Sequence, residues 1–540
     1  MLFNRKYAVI LALVLSQVLV LAGIFLNDIP TRDVASRYAL MSEAFANGDW
    51  QYAFHPRIQL LQPVAGGIVA WIFHCNGFTA LKIASALFFL AGILPVWKLF
   101  REIYGDKTSI VSGTVIFYLL LPYNIHMAYS GLRESAKTFI LLLIAYGLVR
   151  IYRNIRLTSG YVVLGFGGAL AVICRADMIM SGIFLLWIGM ILECRATLFP
   201  RRSFISAGLT GVAVLGSSLI NCSVSGHAMP DFRFARLFEQ VMMHPGQFSD
   251  ILIITVIAIL IMAAGATIAA LVLRKVHAAF FIAGMLLVMT ATSIYTFYNA
   301  DKPKLGEFIE SCIYGNGKAI GIFSFLTVIY LVYRKRFSSE DFLLILVLLA
   351  NMFFNIVPME IFHKTLYVSD RYIFPAIPLA AGFFVIGIHE LYQMFKEKLG
   401  EQRAHSVLVF ACAAISIGFV IHAAQPTFKD YTRKKRIEMR NGIKTLKNSL
   451  CSDYNGKPHK RTVFSIERYM STKAPFVLFD DTSKITVAAY LSGGSEVTYS
   501  VPNPDYFVGN LLPARFKGKA KLVTEVDFGN FSKKLWRIAR

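Results

Sequence analysis

Apolar runs of about 20 residues recur along this chain with basic residues between them, and a helix needs about that length to cross roughly 30 Å of hydrocarbon. The first run, Tyr7 to Asn27, follows Arg5 and Lys6. Its apolar core is long for a cleaved signal peptide and no small-residue cleavage site follows, so it reads as a retained signal anchor. Further runs fall near 79–97, 108–127, 134–149, 159–174, 178–192, 204–224, 249–273, 277–298, 318–333, 341–358, 372–392 and 404–424, which makes thirteen spans in all. With 56% hydrophobic and only 16% charged residues among 540, the chain lies outside the soluble globular norm. The expected architecture is an all-α polytopic membrane protein over residues 1–425, followed by a small α/β extramembrane domain over 426–540.

Charge sets the topology. With thirteen spans and the N-terminus inside, the short inner loops carry nineteen Lys and Arg, among them Lys98, Arg101, Arg150, Arg153 and Arg334 to Arg336. The outer loops are longer in total and carry fourteen, including Arg133, Lys137 and Arg175. The positive-inside rule favours this parity. It requires that Ile58 to Gly77, whose apolar run is broken by Gln59, Gln62, Pro63, Gly66, Gly67 and His74, lie in the membrane interface without crossing. The net charge of +23 is concentrated at the C-terminus, where residues 426–540 hold 22 Lys/Arg against 10 Asp/Glu. A basic cluster at 429–436 stands close to a membrane end assigned outside, which long translocated domains tolerate. The basic tail suits either anionic lipid headgroups or simple solvation, and no nucleic-acid motif accompanies it. Thr462 to Ile466, Phe476 to Phe479, Glu496 to Ser500 and Leu535 to Ile538 read as strands, and Thr482 to Leu491 as a helix.

The seven cysteines are scattered, with no CxxC or Cys/His cluster, which argues against a disulfide framework or thiolate metal site. Chemistry is sought instead in the polar stretch Asp28 to Pro63, because long loops in membrane proteins carry function. It holds Asp33, Arg37, Tyr38, Glu43, Asp49, His55 and Arg57. The parity above puts further ionisable residues on the same face. Glu134, in Ser130 to Ser135, starts the fourth span, where a carboxylate either compensates the helix dipole or serves the reaction. Arg175-Ala176-Asp177 is either a hairpin salt bridge or a phosphate-facing arginine. Arg371 and Tyr372, in Ser369 to Pro378, either anchor a helix at the interface or bind a lipid-borne phosphate. Histidines 55, 227, 244 and 363 lack any HxxH spacing and read as interface residues, His55 being the one set in the central loop.

Taken together, the loop acid followed by Tyr38, the Gly48-Asp49-Trp50 ending and the Pro-containing lead into the next span resemble the first external loop of the GT-C glycosyltransferases. The resemblance is to the branch of protein O-mannosyltransferases and lipid A aminoarabinose transferases. Where many members have an Asp-Glu pair, this chain reads Asp33-Val34. The Arg371-Tyr372-x-x-Pro375 run is similar to a second signature of that family, and Arg175-Ala176-Asp177 to an Arg-Pro-Asp-like turn. The resemblance implies that Asp33 is catalytic, that Glu134 positions the acceptor or helps bind a divalent metal ion, and that sugar transfer is inverting. Arg371, Tyr372, Arg57 and Arg175 are then donor-phosphate contacts, and Arg37, Tyr38 and His55 support the loop. The expected donor is a polyprenyl-phosphate sugar, and no GxxxxGK[ST] nucleotide cradle is present. The acceptor is a glycan, lipid or protein, membrane lipids are the only other partners expected, and the site faces the periplasm or exterior of a bacterial inner membrane. The alternatives are a flippase for lipid-linked sugars, argued against by ionisable residues gathered at one face, and a membrane assembly protein.

Overall fold

The computed structural model describes residues 5–27, 34, 38–48, 50–54, 59–105, 107–194, 196–197, 200–225, 318–363 and 374–432. In the C-terminal region it describes isolated helical positions between 437 and 449 and the segments 464–466, 478–479, 486–487, 506–508, 518–527 and 532–539. The helices are α1 (Arg5–Leu26), α2 (Ala39–Ala46), α3 (Trp50–Ala53), α4 (Leu61–Phe73), α5 (Gly77–Ala91), α6 (Ile93–Tyr104), α7 (Thr108–Leu120), α8 (Pro122–Tyr129) and α9 (Glu134–Arg153). They continue as α10 (Thr158–Cys174), α11 (Ala176–Cys194), α12 (Ser203–Ser225), α13 (Lys318–Tyr333) and α14 (Ser339–His363). A 3₁₀ turn at Phe374–Ala376 then leads into α15 (Ile377–Leu399) and α16 (Glu401–Thr432). The expected spans 249–273 and 277–298 lie outside the described residues; each of the others coincides with a helix or with one of two broken pairs.

Both breaks have a local cause. Pro122 opens α8 directly after α7 and its ring bars the preceding residue from the α region, so Leu121 is extended at ψ 117° and the two helices meet at 49°. Gly92 separates α5 from α6 over a run that remains one apolar span, Gly77–Tyr104. α4 has 13 residues, a reach of about 20 Å, which is short of the hydrocarbon thickness. It buries Gln62, Pro63, Gly66 and Gly67 on one side and exposes Ile68, Trp71 and Ile72 on the other, with Phe73 exposed at its end.

α9 is the interior post: most of its residues are buried, whereas few of those of α1 and α16 are, among the described residues. The exposed Leu, Val, Ile and Phe side chains of α1 and α16 are surface that only lipid tolerates, and the chain is an integral membrane protein. Packing around α9 relies on close helix approach, which small residues permit. At Gly165 of α10 a Cβ would lie 2.6 Å from Ser206 Cα of α12, which is backbone and cannot yield as a side chain would. Gly165→Val is therefore expected to cost about 1–3 kcal/mol, measured as a lower unfolding temperature of the purified chain in detergent.

α9 also fixes the two polar ends of the bundle. Its 20 residues span about 30 Å, from Glu134 at one end to Arg150 and Arg153 at the other. At the second end Arg153 pairs with Glu340 at 3.0 Å and donates to Ile103 O of α6. Tyr104 donates to Asp341, whose carboxylate closes a capping box with Ser338 at the start of α14. Arg336 pairs with Glu390 at 2.8 Å. Arg153, Tyr104, Glu340 and Arg336 belong to loops assigned inside from charge, while Asp341 and Glu390 fall at the ends of expected spans.

The C-terminal region contributes β1 (Phe464–Ile466), β2 (Leu478–Phe479), β3 (Thr486–Val487), β4 (Tyr506–Val508), β5 (Ala520–Asp527) and β6 (Ser532–Ile538). One sheet has the order β1-β4-β6-β5, with β1 parallel to β4 and the remaining neighbours antiparallel; β2 and β3 form a two-stranded pair. The expectation of a helix at Thr482 to Leu491 is corrected here: Thr486 and Val487 are a strand paired with Phe479 and Leu478, as suits β-branched residues beside Ile485. β4 and β5 were not anticipated, and the strand expected at Glu496 to Ser500 lies outside the described residues.

Candidate functional site

The loop after α1 is fastened to the bundle by polar side chains. Ser42 of α2 donates to Pro63 O of α4 at 3.1 Å, and Glu43 accepts from Gly77 N at 3.0 Å at the start of α5, which Asn76 caps. Gln62 of α4, only 1% exposed, donates to Ser85 Oγ and to the carbonyls of Gly131 and Leu132. Leu132 O also accepts from Ser85. The turn before α9 can present both carbonyls because Gly131 sits at φ +75°, a conformation that carries no steric cost only in glycine. Under the latch lies an apolar cluster of Val34, Tyr38, Met41, Phe78, Leu81, Met127 and Leu132.

Where the loop, the turn and the α10–α11 junction meet, charged side chains converge. Arg133 donates to Gln59 Oε1 at 3.1 Å and to Cys174 O at 3.4 Å, and its guanidinium lies 5.1 Å from the centre of the buried Tyr38 ring. Glu134, fully buried, pairs at 3.6 Å with Arg175, whose side chain is 8% exposed. Lys137 follows one turn along α9 and is also fully buried. Three of the residues singled out in the sequence, Tyr38, Glu134 and Arg175, thus come together, although 41 positions separate the last two. Arg175 reaches across to α9, so it does more than close its own hairpin. Glu134 is both the first residue of α9, where a carboxylate complements the dipole, and an ion-pair partner.

Asp33, Arg37, His55, Arg57, Arg371 and Tyr372 lie outside the described residues. The segment that follows the last two is described: the 3₁₀ turn Phe374–Ala376 packs against α9, with Pro375 and Ala376 buried and Pro378 in the first turn of α15. Arg133, Lys137, Gln59 and Gln62 were not recognised as site residues. The available signal was three ionisable groups, Arg133, Glu134 and Lys137, within one helical turn at a span boundary. As for a divalent ion, the described residues do not fit one: Glu134 is the single carboxylate, set among Arg133, Lys137 and Arg175, and no group of three His, Cys, Asp or Glu able to hold a metal occurs among the described residues.

The bundle of apolar helices, with a long latched first loop and ionisable residues gathered beneath it at one end, has a counterpart of like fold among solved structures. Among solved structures, ArnT from Cupriavidus metallidurans in the apo state superposes with a TM-score of 0.53 at 10% identity, covering 97% of each chain. ArnT bound to undecaprenyl phosphate matches at a TM-score of 0.43 and 11% identity over 98% of each chain. The Archaeoglobus fulgidus oligosaccharyltransferase, in complex with Zn and sulfate, matches at 0.45 and 13%; the alignment covers 84% of this chain but spans only 60% of that longer one. No protein-family model matches the sequence, and no curated protein matches it.

Proposed function

We propose that this chain transfers a sugar from a polyprenyl-phosphate-linked donor to an acceptor hydroxyl on a protein, lipid or glycan, at the non-cytoplasmic surface of the membrane. The observation that carries this reading is the buried Glu134–Arg175 pair with Arg133 and Lys137 beside it. Among the described residues it sets three cations against one carboxylate. A cluster of guanidinium and ammonium groups favours an anionic ligand, and the phosphate of the donor is one. Arg175 and Arg371 serve as donor-phosphate contacts, because a guanidinium binds phosphate through two parallel, charge-assisted hydrogen bonds.

Asp33 is the general base. It removes the acceptor proton as the hydroxyl attacks the anomeric carbon opposite the leaving phosphate, which inverts the configuration. Val34, the next residue in the chain, is fully buried in the apolar cluster beneath the loop, and that supports a base on an anchored segment. Arg57, Tyr372, Arg37, Tyr38 and His55 complete the donor contacts and support the loop. Stabilising the charge on the departing phosphate is the larger catalytic demand, and the basic residues meet it. The fold shared with ArnT supports a membrane glycosyltransferase as the general class.

Two measurements test the reading. In proteoliposomes, release of polyprenyl phosphate is expected one-to-one with glycosylated acceptor; consumption of a nucleotide sugar in its place overturns it. For sidedness, a membrane-impermeant maleimide is expected to label Asn47→Cys in intact cells and Asn154→Cys only after permeabilisation, both positions being exposed, and the reverse pattern sinks the assignment.

A further inference from the structure

At the end of the bundle opposite Glu134, α6 and α9 form an open cavity of about 310 Å³ lined by Lys98, Arg101, Glu102, Tyr146, Arg150 and Arg153. Basic residues at a cytoplasmic membrane boundary need no ligand, since they fix topology and complement helix C-termini. Three features go beyond that duty. First, the cations line one shared pocket that stays open to the surface. Second, most of them are not neutralised. Arg153 is held by Glu340 and Ile103 O, but among the described residues neither Lys98 nor Arg101 pairs with a carboxylate, and both lie over the Trp97 ring, at 4.8 and 5.3 Å. Arg150 donates one Nη to Tyr146 OH at 2.7 Å while its Nε is buried without a protein acceptor, a group that ordinarily finds one. Third, the cavity opens onto a lipid-facing stripe. Leu94, Trp97, Lys98 and Arg101 share one face of α6, Leu94 is 60% and Trp97 37% exposed, and the apolar part of the stripe runs directly into the basic part.

We infer that this cavity binds the phosphate headgroup of an anionic phospholipid whose acyl chains lie along Leu94 and Trp97, at the membrane face opposite the transferase site. A free phosphate shares the headgroup chemistry, but it has no use for the adjoining apolar stripe. Glu102, the carboxylate on the wall, opposes any anion and so limits the affinity.

Native mass spectrometry of the full chain in a nonionic detergent, titrated with phosphatidylglycerol or phosphatidylcholine, tests the inference. The first phosphatidylglycerol is expected to bind about thirtyfold more tightly than phosphatidylcholine, as about two net positive charges near a headgroup imply. Lys98→Gln/Arg101→Gln should remove that preference, whereas Glu102→Gln should raise phosphatidylglycerol affinity about threefold, a gain that misfolding cannot produce. Arg334→Gln/Lys335→Gln, which removes two exposed cations outside the cavity, should leave the preference intact. An equal loss in that control variant, or no response to Glu102→Gln, means a diffuse surface potential and overturns the site. Displacement of the lipid by excess inorganic phosphate reassigns the cavity to a free anion and overturns the lipid.

Discussion

Asp33→Asn is expected to lower the transfer rate by about 10² to 10⁴, the usual worth of a positioned general base, while donor affinity stays within about twofold. The amide matches the carboxylate in size but cannot accept the hydroxyl proton. Loop architecture should survive, because its described fastening runs through Val34, Tyr38, Ser42, Glu43 and Gln62. Asp33→Glu separates chemistry from charge: it keeps the base but moves it by a methylene, and displacement of about 1 Å costs on the order of 10²-fold in a preorganised site. The check is single-turnover transfer in proteoliposomes alongside equilibrium binding of the lipid-linked sugar. Full turnover by Asp33→Asn would remove the base from the mechanism. A parallel collapse of donor binding would make Asp33 a binding residue instead.

The sequence yielded the frame more readily than the site, for physical reasons. Helices such as α9 and α12 announce themselves because the hydrocarbon imposes length and apolarity together. Arg153, Tyr104 and Arg336, read from charge as inner-loop residues, gather at one end of the bundle. Glu134 and Arg175 could each be singled out as a polar residue at an outer boundary. Their pairing could not, because it depends on how α9 meets the α10–α11 junction. Arg133 and Lys137 counted only toward topology, since one-dimensional charge does not distinguish a snorkelling cation from a buried one. Gln62 read as a defect in an apolar run, yet its three hydrogen bonds make it a fastening of the loop. In the C-terminal region local propensity misled at Thr486 and Val487, where the partner strand 7 and 9 residues upstream decides the conformation.

The second large effect concerns Glu134 and Arg175. Removing either partner breaks an ion pair buried this deeply, at 0% and 8% side-chain exposure, and Glu134→Gln or Arg175→Gln should each cost about 3–5 kcal/mol of stability. The double variant should cost clearly less than the sum of the two, with a coupling of about 1–3 kcal/mol, because the second substitution acts on a pair already broken. Reversible unfolding in mixed micelles measures this cycle, and strict additivity would mean that the 3.6 Å approach is not an energetic pair. Stability alone does not separate a structural brace from a donor contact, so Arg175→Lys is the informative companion. Lysine keeps the charge that compensates Glu134 but lacks the planar fork that grips a phosphate in two places. Most of the stability should therefore return while KM for the lipid-linked donor stays raised by about tenfold, the equivalent of roughly 1.4 kcal/mol. If Arg175→Lys restores donor KM together with stability, Arg175 acts only through Glu134, and the phosphate must be held by other residues such as Arg371.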